Sequence, residues 1–136
     1  MIGDEGADRS AFVVRDTAEL MLVASDTAGT GGETLAASAL SFWRLPLEPG
    51  MARMRALVAG AAAATSPLCR LRVRLVLLDG AVVLEVVFLD ADPHDYDSGL
   101  MPAGADWSWR RDSGGRWRLC DRIDLHPRRT HERIMQ

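Results

Sequence analysis

Two runs dominated by Leu and Val, residues 70–78 and 81–89, flank the dipeptide Asp79-Gly80, and no other part of the chain constrains the fold as tightly. Asp-Gly between two β-prone runs predicts a two-residue hairpin with a type I′ turn. With Leu78 opposite Ala81, the residues Leu71, Val73, Leu75 and Leu77 lie against Phe88, Val86, Leu84 and Val82, all on one face, because strand side chains alternate with a period of two. The other face sets Arg74 opposite Glu85. This pair is expected on a surface that is solvated or meets a partner, where it stabilises by less than about 1 kcal/mol.

A second hairpin is predicted over residues 106–111 and 116–125, turning on Asp112-Ser113-Gly114-Gly115. A three-residue loop puts Trp107, Trp109, Trp117, Leu119, Ile123 and Leu125 on one face together with a single carboxylate, Asp121, while Ser108, Arg110, Arg118, Arg122 and Asp124 take the reverse face. Between the hairpins, residues 90–105 form a long acidic loop, a usual place for function on a rigid scaffold.

The first half reads as helical. Val13, Thr17, Leu20 and Ala24 recur at helical spacing, which predicts a first helix over residues 10–25. Residues 26–32 contain three glycines and read as a loop. Thr30-Gly31-Gly32-Glu33 has the spacing of a capping box, opening a short second helix through Leu35, Ala36 and Ala39. Residues 40–45, aromatic and closed by Pro46, suit a short strand. After Pro49-Gly50 a third helix runs to Thr65, with Met51, Met54, Leu57, Val58 and Ala61 on one face, and Ser66-Pro67 ends it.

A length of 136 residues with 48% hydrophobic content suits one α+β domain, expected over residues 10–126 between a frayed segment 1–9 and a tail 127–136. The formal charge of −3 is mixed along the chain, which argues against nucleic acid as a partner. All sixteen basic residues are Arg, a composition bias rather than a recognition device. Cys69 and Cys120 form no CxxC pair, so a thiolate metal or redox site is not expected. With no apolar run long enough to span a bilayer and no signal-like start, a soluble cytoplasmic protein is expected.

Several segments carry a resemblance. FVVRDTAELM (residues 12–21) looks like the first helix of the small (β) subunit of aromatic-ring-hydroxylating dioxygenases, and LSFWRLPL (40–47) is similar to that family's first strand. MRALVAGAAAATSP (54–67), followed by Arg70 and Arg72, resembles its third helix and an Arg-bearing strand, and GRWRLCDRIDL (115–125) resembles its closing strand. The resemblance implies an NTF2-like cone, in which N-terminal helices pack on a curved antiparallel sheet. It also implies a metal-free scaffold, without cofactor, that forms a homo-oligomer or docks on an oxygenase α subunit. Its partner surface would be Arg72, Arg74, Arg110, Arg118 and Arg122, meeting carboxylates of neighbours. The segment between Leu47 and Met51 lacks that family's long insertion. The shorter chain is closer to the SnoaL-like branch of the same superfamily, whose members are stand-alone cyclases, dehydratases and isomerases.

For that second branch the candidate catalytic residues are Asp121, a carboxylate desolvated by an apolar pocket, and His94 at the pocket mouth. Trp43, Trp107, Trp109 and Trp117 are candidates to line a pocket for an aromatic or polyketide ligand, in an enzyme or in a non-catalytic carrier, although tryptophans at strand spacing are more often core. Asp124, His126 and His131 superficially match a two-histidine, one-carboxylate iron site, but Pro127 interrupts them and iron is not expected. Asp90, Asp92, His94, Asp95 and Asp97 lack the glycine and terminal glutamate of a calcium loop.

Overall fold

A computed structural model of the chain describes residues 13–93 and 107–125. Strand β1 (Val14–Val23) comes first, then helices α1 (Ala28–Phe42) and α2 (Gly50–Ala63), the hairpin β2 (Arg70–Leu78) and β3 (Ala81–Phe88), and the hairpin β4 (Trp107–Arg111) and β5 (Trp117–Asp124). The strands form one open antiparallel sheet in the order β1-β2-β3-β5-β4. Both helices cover the same face, α1 over β1 and β2, α2 over β3 and β5. The class is α+β, two layers around one core of Leu71, Val73, Leu75, Leu84, Val86 and Leu119 from the sheet and Met54, Leu57, Val58 and Ala61 from α2.

Both hairpins form in the predicted register. Leu71 pairs with Phe88, Val73 with Val86 and Leu75 with Leu84, and Trp109 lies opposite Leu119. In the second turn Gly115 has φ +84°, and its N–H donates to Asp112 O at 3.0 Å, the geometry of a three-residue loop closed by a left-handed residue. The first turn is not of type I′. Positive φ among the described residues occurs only at Arg44 and Gly115, not at Asp79 or Gly80.

Residues 14–23 form a strand, not the predicted helix. Their apolar residues satisfy both periods, and pairing with β2 selects the period of two: Ala18, Leu20 and Leu22 stand opposite Leu75, Val73 and Leu71 on the helix-covered face. The gain is a partner for the free edge of β2, which an isolated periodicity cannot register. The segment read as a loop is helix from Ala28 onward. Its glycines serve close packing. A Cβ on Gly32 would stand 2.6 Å from Val58 Cγ2, and one on Gly29 would stand 3.2 Å from Arg55 O. No capping box forms, since the N-cap is Thr27 without a side-chain cap bond and Thr30 lies inside the helix.

Residues 40–45 are not a strand either. Leu40 is buried in the last turn of α1, and the helix ends in a double bond pattern, Arg44 N–H to Ser41 O at 3.0 Å and Leu45 N–H to Leu40 O at 2.9 Å. This is a Schellman closure with Arg44, at φ 59°, where glycine is usual. Helix α2 matches its prediction, with Met54, Leu57, Val58 and Ala61 fully buried. At the far end of the β2–β3 hairpin, Arg70 holds Asp90 through its guanidinium at 2.6 Å and its backbone N–H at 2.7 Å, which keeps the Asp90 carboxyl below the usual carboxylate range.

Two measurements test these packing arguments. Gly32→Ala gains about 1 kcal/mol of helix propensity but overpacks against Val58, a cost of about 1–3 kcal/mol. Urea unfolding is expected to show net destabilisation, and combining it with Val58→Ala is expected to give less than the sum of the two losses. Arg44→Gly relieves a left-handed side chain and is expected to stabilise by about 0.5–1 kcal/mol in the same assay.

Candidate functional site

The inner, helix-covered face of the sheet is apolar except at two carboxylates and at Arg111, on the edge strand, whose guanidinium lies 5.0 Å from the Trp117 ring centroid. Asp121 points inward, as its register predicts, opposite Leu84 and Trp107, and is 2% exposed. It is not a lone acid. Arg53 of α2 reaches it with a two-pronged contact, Nε to Oδ2 at 3.0 Å and Nη2 to Oδ1 at 2.6 Å, and the Arg122 N–H donates to Oδ1 at 2.7 Å. Both oxygens are therefore engaged, so a proton-transfer role requires this clamp to open. Arg53 was not visible as a site residue in the sequence. The only signal is its place beside Met54, on the edge of the apolar stripe of α2.

The second inner carboxylate is Asp16 of β1. Its Oδ2 accepts from Trp43 Nε1 at 2.8 Å and its Oδ1 accepts from the Thr17 N–H at 2.8 Å, bonds that hold its carboxyl below the ordinary range. Trp43 is thereby attached to β1, at one edge of the sheet. Trp107, Trp109 and Trp117 occupy β4 and β5 at the opposite edge, where Trp109 stacks at a tilt on Phe88, ring centroids 5.7 Å apart, and meets Trp117 edge-on at 6.3 Å. The four tryptophans do not converge on one pocket. Three of them extend the core beneath β4 and β5, partly buried.

The outer face was expected to be solvated or to meet a partner, and at its centre the charge is buried within the chain itself. Glu85 is 4% exposed. Arg74 approaches Glu85 Oε1 with Nε at 2.8 Å, outside hydrogen-bonding geometry, and Arg118 Nη1 donates to Oε2 at 2.6 Å. A buried carboxylate needs such partners. Cys120 lies beside it, Sγ 3.9 Å from Oε2, and burial, aided by the Glu85 charge, pushes its thiol up to about 11. Around this triad the face opens into a recess of about 430 Å³, with Arg74, Arg110, Arg118 and Arg122 in its lining. Arg72 stands on the same face, opposite Met21 and Val87.

No group of three or more His, Cys, Asp or Glu side chains arranged to hold a metal ion occurs among the described residues. His94, Asp95, Asp97, His126 and His131 lie outside the described residues. No described helix is long and apolar enough to cross a membrane. No protein-family model matches the chain, and no curated protein is detectably similar to it.

The buried Asp121 predicts different behaviour from an exposed pair. Arg53→Ala strands Asp121 and is expected to cost about 3–5 kcal/mol in urea unfolding, whereas Arg55→Ala, whose contact with Glu33 at 3.5 Å is largely exposed on the Arg side, should cost less than about 1 kcal/mol. For Cys120 the folded thiol titrates above its ordinary value of 9.0, so the neutral form is favoured by folding. Its contribution is complete below pH 9.0 and is lost as pH rises through about 11. Cys120→Ala should therefore reduce the loss of stability across that window, and alkylation of the native chain near pH 8 should label Cys69 before Cys120.

Proposed function

We propose that the chain is a non-catalytic, metal-free assembly component, the role implied by its resemblance to the small subunit of aromatic-ring-hydroxylating oxygenases. The observation that carries this reading is the charge of the outer sheet face. Apart from the Arg70–Asp90 pair at its end, that face sets Arg72, Arg74, Arg110, Arg118 and Arg122 against Glu19, Glu85 and Asp124, in a chain whose net charge is −3. Guanidiniums held in rows on a rigid sheet suit the carboxylates of a neighbouring subunit. The β1 edge adds apolar surface, with Leu20, Met21 and Val23 each more than two-fifths exposed, and an open strand edge is itself a pairing surface.

In this reading the NTF2-like plan applies to the two helices and two successive hairpins. Strand β1 departs from it, because the family pattern begins with a helix there. The rival reading, acid–base catalysis at Asp121 as in SnoaL-like enzymes, needs a carboxylate that Arg53 now holds by both oxygens.

Sedimentation of the chain mixed with a purified oxygenase α subunit tests the proposal. The expected result is a complex that weakens with added salt and with Arg72→Glu or Arg110→Glu. A chain that sediments alone under all conditions overturns it.

A further inference from the structure

The recess on the outer face is divided along its length by the strand register. At one end stand Val76 and Val83, paired with each other, beside Val14 and Leu78, with Arg122 of β5 opposite Val83 at the rim. One row further on, Arg74, Glu85, Cys120 and Ser108 lie side by side across four strands. The row after that holds Arg118 and Arg110, again paired. Two rows are four residues, so the Val76–Val83 pair and the Arg118–Arg110 pair are separated by roughly 13 Å along the strands. A volume of about 430 Å³ is that of a small-molecule site.

At the polar end Arg74, Arg110 and Arg118 surround one outer-face carboxylate, Glu85, with Glu19 of β1 opposite Arg74 outside the recess. Glu85 serves both Arg74 and Arg118. Arg122, which stands opposite Val83 at the other end, is neutralised by Asp124 at 3.0 Å. Arg110 has no carboxylate partner among the described residues, only the Ser108 hydroxyl at 3.3 Å. Arg118 Nε is buried without an acceptor. A buried donor and an unneutralised guanidinium at one end, with a valine-lined wall at the other, match an anion that carries a hydrocarbon body.

We propose that this recess binds a free organic monocarboxylate with an apolar body, its carboxylate on Arg110 and Arg118 and its body on Val76 and Val83. Glu85 sets the charge that is accepted. Fixed in the middle of the polar row and 4% exposed, it repels a second negative charge beside the first, which disfavours phosphate and dicarboxylates. A free acid fits better than a partner's Asp or Glu, whose one or two methylenes cannot fill the apolar half. Binding to the chain alone goes beyond the assembly reading and does not depend on it.

Isothermal titration calorimetry of the full chain with octanoate, octanol and inorganic phosphate tests the site. Saturable binding of one octanoate is expected, with octanol and phosphate at least about tenfold weaker, since each lacks one half of the match. Arg110→Gln, at an exposed position, should weaken octanoate by about tenfold while leaving the melting temperature unchanged, and Val83→Thr should weaken it with no effect on phosphate. Absence of saturable octanoate binding overturns the proposal, as does binding that Arg110→Gln leaves intact or that octanol or phosphate equals. Octanoate binding by a chain that forms no α-subunit complex removes the assembly reading alone, and a complex without octanoate binding removes this one alone.

Discussion

A carboxylate buried in the middle of a central strand has to be paired, and Glu85 of β3, 4% exposed, is in that position. Val83 and Val87 flank it on the outer face, while Leu84 and Val86 face the core. Its partners come from the two neighbouring strands, Arg74 of β2 and Arg118 of β5. The triad therefore ties three strands into one register. A slip of one residue on β3 would carry Glu85 into the hydrocarbon layer and leave both guanidiniums without a counterion. Such a triad is a weak argument for net stability and a strong one for uniqueness, because only one alignment satisfies it.

The helical layer obeys a different constraint. Helix α1 approaches α2 so closely that its glycines at positions 29 and 32 face the backbone and side chains of α2 directly. Helix α2 is in turn anchored to the sheet by the contact of Arg53 with Asp121. These two features close the inner face, with apolar packing across β2 and β3 and an occupied ion pair at β5. Open, charged and concave surface is left on the outer face, which is why both functional proposals are located there.

The legible parts of the sequence were those in which two independent signals agreed. In the β2–β3 hairpin, alternation and turn position gave one register, and the Arg74–Glu85 pair fell in place with it. The inward direction of Asp121 followed from the same counting in the second hairpin. The illegible parts had a single signal with two physical meanings. Val13, Thr17, Leu20 and Ala24 fit a helix by spacing, and residues 14–23 fit a strand equally well. Glycines at 29, 31 and 32 mean a loop when the segment is alone and close contacts once α2, for Gly29 and Gly32, and Leu22 of β1, for Gly31, are present. Residues 40–45 carry strand-like side chains at what is the end of a helix.

Local order and pairing along the second half were set by the sequence itself, because a hairpin needs only neighbours a few residues away. Whether β1 is strand or helix, whether a glycine bends or packs, and whether a charge is solvated or clamped depended on residues distant in the chain: Leu71 for Leu22, Val58 for Gly32, Arg53 for Asp121. Only the tertiary structure brings those partners together. A buried charge or a bare strand edge is stable only once its partner is present, so its meaning cannot be read from the segment that carries it.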